Sequence, residues 1–200
     1  ELNTAYSEFS PVVFNDGLLY ASESKIDQIS GNTSSWNGNP NLCIFYSKGK
    51  KKGDSLVYKE GASFVPLFDN DAQNGPIVIS PDGKEGCYCR VDYVRKKDKN
   101  FTNRPKLYFV PFISGKPKSP IAFAYNSDDY SVGHAAYSAD GNALFFVSDM
   151  PGGAGGKDIW MCKRETAGWG KPVNLGPTVN TASDEVFPAA GPDGTLYFSS

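Results

Sequence analysis

Short apolar runs alternate with polar, glycine-bearing turns along the whole chain, and no stretch carries apolar residues at helical spacing. One phrase recurs four times: a polar entrance, a hydrophobic strand, an Asp-Gly pair, then a second apolar strand that often ends in serine. The first copy runs Glu8-Phe9-Ser10-Pro11-Val12-Val13-Phe14, turns at Asn15-Asp16-Gly17, and returns as Leu18-Leu19-Tyr20-Ala21-Ser22. The second holds Ile77-Val78-Ile79-Ser80-Pro81-Asp82-Gly83. The third holds Ala135-Ala136-Tyr137-Ser138-Ala139-Asp140-Gly141, and the fourth Glu185-Val186-Phe187-Pro188 with Pro192-Asp193-Gly194. An Asp-Gly pair between apolar runs predicts a tight hairpin, because glycine accepts the positive φ such a turn demands.

The Asp-Gly pairs lie 66, 58 and 53 residues apart (16 to 82, 82 to 140 and 140 to 193), room for four short strands per interval. The third interval predicts strands at 135–138, 143–147, 158–163 and 171–175. The earlier intervals place third strands at 42–47 and 106–111 and fourth strands at 64–68 and 120–124, with a polar insertion over 23–41. Four antiparallel strands repeated at such intervals predict an all-β fold, a β-propeller of four-stranded blades. About three and a half blades are expected in one domain over 1–200: 6–70, 71–126, 127–180 and an incomplete 181–200. Propeller rings have roughly four to eight blades, so further sequence is expected to complete this one. Glu1 to Tyr6 read as neither a signal peptide nor an initiating methionine, which suggests a mature product or an excised piece.

Composition agrees. Phe, Tyr and Trp make up 14 % of the chain, and 21 glycines with 14 prolines supply turns, the mixture expected of β structure. A net charge of −2 offers no general field to draw nucleic acid or an anionic membrane, and no run of eighteen apolar residues is present to span a bilayer as a helix. The four cysteines have no Cys-x-x-Cys spacing, and the chain has one histidine, so no zinc site is expected. Cys87 and Cys89 share one face of a strand and cannot bond each other. The cysteines are read as buried free thiols, with a cross-strand disulfide at Cys43 or Cys162 as the alternative.

Several motifs invite chemistry. The loop Pro151-Gly152-Gly153-Ala154-Gly155-Gly156-Lys157-Asp158 resembles a phosphate cradle, but Pro151 stands where the first glycine belongs and Asp158 where Ser or Thr belongs. It is read as a tight strand connection. The Asp-Gly pairs lack the intervening residue of a sialidase Asp-box, so their aspartates are read as turn residues accepting backbone N–H bonds. Glu8 and Glu185 occupy equivalent places at the entrance to the innermost strand, just after Ser7 and Asp184, with Ser131 equivalent to those two. They are read as capping or solvated groups, or else as contacts for a protein partner or cation at the channel mouth. His134 aligns with Ser10 and Phe187 and has no visible nucleophile partner. Lys50, Lys51 and Lys52, and the second cluster 95–99, are solvated hairpin tips or contacts for an acidic partner, lipid headgroups or cell-wall polymer. Trp160 and Trp169 are read as packing residues. No cofactor is called for.

The segment from Tyr137 to Trp160, with Ser148-Asp149-Met150-Pro151-Gly152-Gly153 and Lys157-Asp158-Ile159-Trp160, resembles the TolB-type, WD-like propeller repeat. Its continuation, Trp169-Gly170-Lys171-Pro172-Val173-Asn174-Leu175-Gly176 to Asp184-Glu185, is similar to the form in OmpA-family envelope proteins of Bacteroidota, including PorE-like components of type IX secretion. That resemblance implies a non-enzymatic scaffold in the periplasm or at the outer membrane. It implies protein partners, and peptidoglycan contact through a domain outside this chain. Two rival expectations stand beside it. One is a propeller attached to a peptidase or glycan-processing enzyme. The other is a small-ligand or calcium-binding propeller using Asp128, Asp129, Asp149 and Asp158.

Overall fold

The computed structural model describes residues 2–23, 38–59, 61–64, 72–92 and 102–200, and every regular element among them is a β-strand. The first sheet is a meander of β1 (Glu8–Phe14), β2 (Gly17–Ser22) and β3 (Cys43–Lys48). A separate hairpin follows, β4 (Lys50–Lys52) against β5 (Ser55–Val57), before β6 (Ala62–Ser63) returns to flank β3. The second sheet orders β7 (Gln73–Ile79), β8 (Glu85–Val91) and β9 (Lys106–Ile113), with β10 (Lys116–Pro117) and β11 (Ile121–Ala122) both on β9. The third repeats the plan with β12 (Val132–Tyr137), β13 (Ala143–Ser148), β14 (Asp158–Glu165), β15 (Gly168–Trp169) and β16 (Val173–Asn174). A fourth, two-stranded sheet pairs β17 (Val186–Ala190) with β18 (Leu196–Ser199). The first strands β1, β7, β12 and β17 touch in succession. The sheets therefore stand around a common axis as a partial β-propeller.

Two-residue alternation along the strands builds the stack, because successive side chains leave opposite faces. From β8, Tyr88 joins Phe14, Leu19, Ile44 and Phe112 in the layer between the first and second sheets. Its neighbours Cys87 and Cys89 face the other way, packing with Leu107, Phe146 and Trp160 between the second and third. All four cysteines are buried and free, so neither Cys43 nor Cys162 forms the alternative disulfide. Burial pushes the Cys89 and Cys162 thiols up to about 12, which leaves them inert.

The outermost strands are shorter than the alternation predicts. β6, β11 and β16 have two residues each. Prolines explain two of them: Pro117 and Pro120 break the outer strand of the second sheet, and Pro172 delays that of the third, since proline donates no ladder hydrogen bond. In the first sheet the fourth strand comes earlier than 64–68, at Ala62–Ser63; residues 65–68 lie outside those described.

Three of the four Asp-Gly turns share one geometry. Asp82, Asp140 and Asp193 each accept the backbone N–H two residues ahead, from Lys84, Asn142 and Thr195. Gly83, Gly141 and Gly194 carry positive φ. The Ser138 hydroxyl and the Asn142 backbone hold Asp140 well into its ionised range, its pKa lowered to about 2. The first copy differs. There Asn15 takes the positive φ, and Gly17 is already the first residue of β2, paired with Phe14. Gly17 serves close approach: a Cβ there would stand 2.3 Å from the Ser47 carbonyl oxygen.

Candidate functional site

Each first strand carries a bulge at the same place. Pairing jumps from Phe9 to Val12, Asn74 to Ile77, Gly133 to Ala136 and Val186 to Ala189. The residue opening each bulge has positive φ: Ser10 (52°), Gly75 (124°), His134 (47°) and Phe187 (55°). Proline follows in three copies, at Pro11, Pro76 and Pro188, and alanine in the third. A bulged strand pairs poorly at the extra residues. A proline there leaves no stray donor facing the axis.

These bulges converge. Ser10, Pro11, Pro76, His134, Phe187 and Pro188 line one cleft of about 240 Å³ with aliphatic walls from Val12, Ile77 and Val78. The imidazole of His134 stacks on Phe187, with ring centres 4.1 Å apart and planes 18° apart. Its Nδ1 is buried without a hydrogen-bond partner among the described residues. Burial first, and then the Lys157 charge, lower the His134 pKa below its ordinary 6.5. The folded state thus keeps this ring neutral where the unfolded chain takes up a proton, and stability is lost as pH falls below that value. His134→Phe, which preserves the stack, is expected to flatten this part of the stability curve over roughly pH 7 to 5. Thermal midpoints of both proteins measured across that range check it; parallel curves would refute it.

The carboxylates at the strand entrances are held by their own neighbours. Glu8 accepts bonds from the Thr4 amide and hydroxyl and from Ser22. Glu185 repeats this with Thr181 and Ser200 and is fully buried. Ser131 donates its amide to Asp149, and its carbonyl accepts the Ser148 hydroxyl. Asp184 accepts the Lys157 amide at 2.8 Å and its ammonium at 2.7 Å, and the Lys157 bond is the leading cause of its lowered pKa. Lys50, Lys51 and Lys52 lie at the opposite rim, where β4 follows the end of β3 beside the first turn, with Gly49 bonded to Asp16. Of the eight candidates, then, only His134 lines the cleft. The cluster 95–99 lies outside the described residues.

The glycine-rich loop grips protein rather than phosphate. Cβ atoms at Gly155 and Gly156 would fall 2.4 Å from the Thr181 carbonyl and 2.1 Å from Asp184. Gly156 donates to Ser183, and Glu185 donates back to Lys157. The loop therefore fastens the third sheet to the start of the fourth. Asp158, at its end, accepts from Ala154 and Asn174. The other aspartates of the calcium expectation stand apart: Asp128 pairs with Lys106 and Asp149 with Arg104. No group of three metal-ligating residues converges among the described residues.

Two joints escape a reading based on strand pattern. Asn126 and Asn180 each present a side-chain amide to a third strand, bonding both N–H and C=O of Leu107 and of Ile159. Their 54-residue spacing (126 to 180) matches the repeat and is the signal that could have found them. Glu85 of β8 accepts both the Tyr137 hydroxyl and Arg164, each at 2.9 Å, pinning the third sheet to the second. Arg164 also lies 4.1 Å over the Trp169 ring, which itself packs on Phe109 and Tyr137.

With this geometry the chain is one sector of a β-propeller organised around an axial cleft. Among solved structures it is similar to TolB from Acinetobacter baumannii, with TM-score 0.53 and 15 % identity over 98 % of this chain and 38 % of that one. It is also similar to a thermostable family-43 glycoside hydrolase, with TM-score 0.51 and 15 % identity over 96 % of this chain and 64 % of that one. A prolyl endopeptidase structure aligns at TM-score 0.47 and 14 % identity, over 96 % of this chain and 26 % of that one. The chain thus spans less than two thirds of each neighbour. No family model and no curated protein matches the sequence. The first two likenesses establish the fold alone; a glycoside hydrolase stands among them as well as TolB.

Proposed function

We propose that this chain is the propeller part of a bacterial cell-envelope protein and acts as a non-enzymatic scaffold that binds protein partners. The observation that carries this reading is the axial cleft. Its walls are proline, aliphatic and aromatic surface with the Ser10 hydroxyl and one neutral imidazole, the lining expected of a site that receives an apolar peptide segment. The two entrance glutamates, equivalent in the repeat, spend their hydrogen bonds on Thr4, Thr181, Ser22 and Ser200. They are built as strand caps. No described helix is long and apolar enough to cross a membrane.

The resemblance of the third repeat to OmpA-family envelope propellers supports a site of action in the periplasm or at the outer membrane. A type IX secretion complex or an outer membrane–peptidoglycan assembly is the setting, with peptidoglycan held by a domain elsewhere in the parent protein. The partners are proteins and not nucleic acid. A photo-activated cross-linker at Ser10, on the cleft wall, is expected to capture one discrete partner from native envelope. Phe187→Ser is expected to weaken that capture about tenfold or more, the loss typical of an aromatic anchor. Capture that ignores Phe187→Ser, or turnover of a glycan or peptide by the purified chain, would sink the reading.

A further inference from the structure

The hairpin of β4 and β5 stands outside the blade sheets as its own two-stranded ribbon. An isolated two-stranded hairpin is marginal in water and gains from a surface to pack against. Here Lys50, Lys51 and Lys52 are all exposed and have no ion pair among the described residues, whereas neighbouring Lys48 is tied to Asp16. Their cross-strand partners are Val57, Leu56 and Ser55. Leu56 is 57 % exposed and Val57 42 %. Both edge an open groove of about 550 Å³ shared with Leu2, Asn3 and Tyr58. Residues 48–59 hold five lysines against one aspartate, a local charge of +4 on a chain whose net charge is −2.

We propose that this hairpin docks edge-on to an anionic phospholipid surface, Val57 from one face of the ribbon and Leu56 from the other entering the headgroup boundary while Lys50, Lys51 and Lys52 meet the phosphates. The chemistry separates this from an acidic protein partner. Protein interfaces are depleted of lysine and anchored by buried aromatics or arginine in fitted pockets. A strip of flexible, strongly hydrated ammonium groups beside short aliphatic side chains suits a fluid surface of phosphates, where charge attracts without fixed geometry. Tyr58 adds an amphipathic ring of the kind that settles at headgroup level. The inference does not depend on the axial cleft.

Sedimentation with phosphatidylcholine vesicles, with and without phosphatidylglycerol, tests it on the whole chain. Binding is expected only to the anionic vesicles and should fall steeply with added salt. Each Lys→Gln change should weaken it roughly fivefold, and K50Q/K51Q/K52Q roughly a hundredfold. L56S/V57S should weaken it while leaving the charge intact. All these side chains are exposed, so the variants are expected to fold, which a shared thermal midpoint verifies. Phe187→Ser should bind vesicles as the parent does, so failure of the cleft reading leaves this one standing. Equal binding to neutral vesicles, undiminished binding by the triple lysine variant, or binding to polyglutamate without vesicle binding would each overturn the proposal.

Discussion

Asn180→Ala is expected to destabilise the chain by about 2–5 kcal/mol, a large loss for a residue outside every strand and apolar cluster. The amide of Asn180 is 2 % exposed and bonds Ile159 N–H at 2.8 Å, Ile159 C=O at 3.0 Å and Asn174 at 2.8 Å. It stands in for a strand at the margin of β14. Alanine would leave the N–H of the fully buried Ile159 without a partner, at about 1–3 kcal/mol, and would remove two further bonds of about 0.5–1.5 kcal/mol each, to Asn174 and to the Ile159 C=O, which keeps the Leu175 N–H. Asn180→Asp should rescue little, since it keeps an acceptor for the N–H but loses the donors to Ile159 and Asn174. Denaturant midpoints at constant slope measure the effect. A loss under about 1 kcal/mol would mean that water satisfies Ile159, and the account of the joint would fail.

Phe146→Ala should cost about 3–5 kcal/mol, the range for a large aromatic removed from a packed core. Phe146 is fully buried, meets Phe123 edge to face at 5.3 Å and sits in the same cluster as Trp160 and Cys162. Phe146→Leu keeps more of the volume and should lose less. Cys162 supplies an independent reporter: fully buried in the parent, its thiol should react faster with a thiol reagent as the cluster loosens. If Phe146→Ala left both the unfolding midpoint and thiol reactivity unchanged, the layer between the second and third sheets could not be the core described.

The architecture was legible because it rests on patterns of period two and on turn residues. Asp82, Asp140 and Asp193 announce hairpins through local chemistry, and Tyr88 between Cys87 and Cys89 shows two faces to any reader of alternation. Gly17 misled in detail, since an Asp-Gly pair looks the same whether its glycine bends the chain or lets strands approach. The cleft was far less visible. Ser10, His134 and Phe187 align in the repeat, but nothing local says that a bulge turns them toward the axis; Pro11 and Pro188, inside predicted strands, were the available hint. Glu85 and Arg164 meet across 79 positions of sequence, a contact no local pattern encodes.

The bulges also reveal where this protein forgoes stability. Left-handed backbone is nearly free for glycine and costs other residues about 1 kcal/mol or more, yet three of the four axial positions bear side chains, Ser10, His134 and Phe187, and only the second repeat uses Gly75. Glycine at those three places would give a calmer chain with a featureless axis. The fold carries a standing conformational tension in order to keep a hydroxyl, an imidazole and a phenyl ring around its centre.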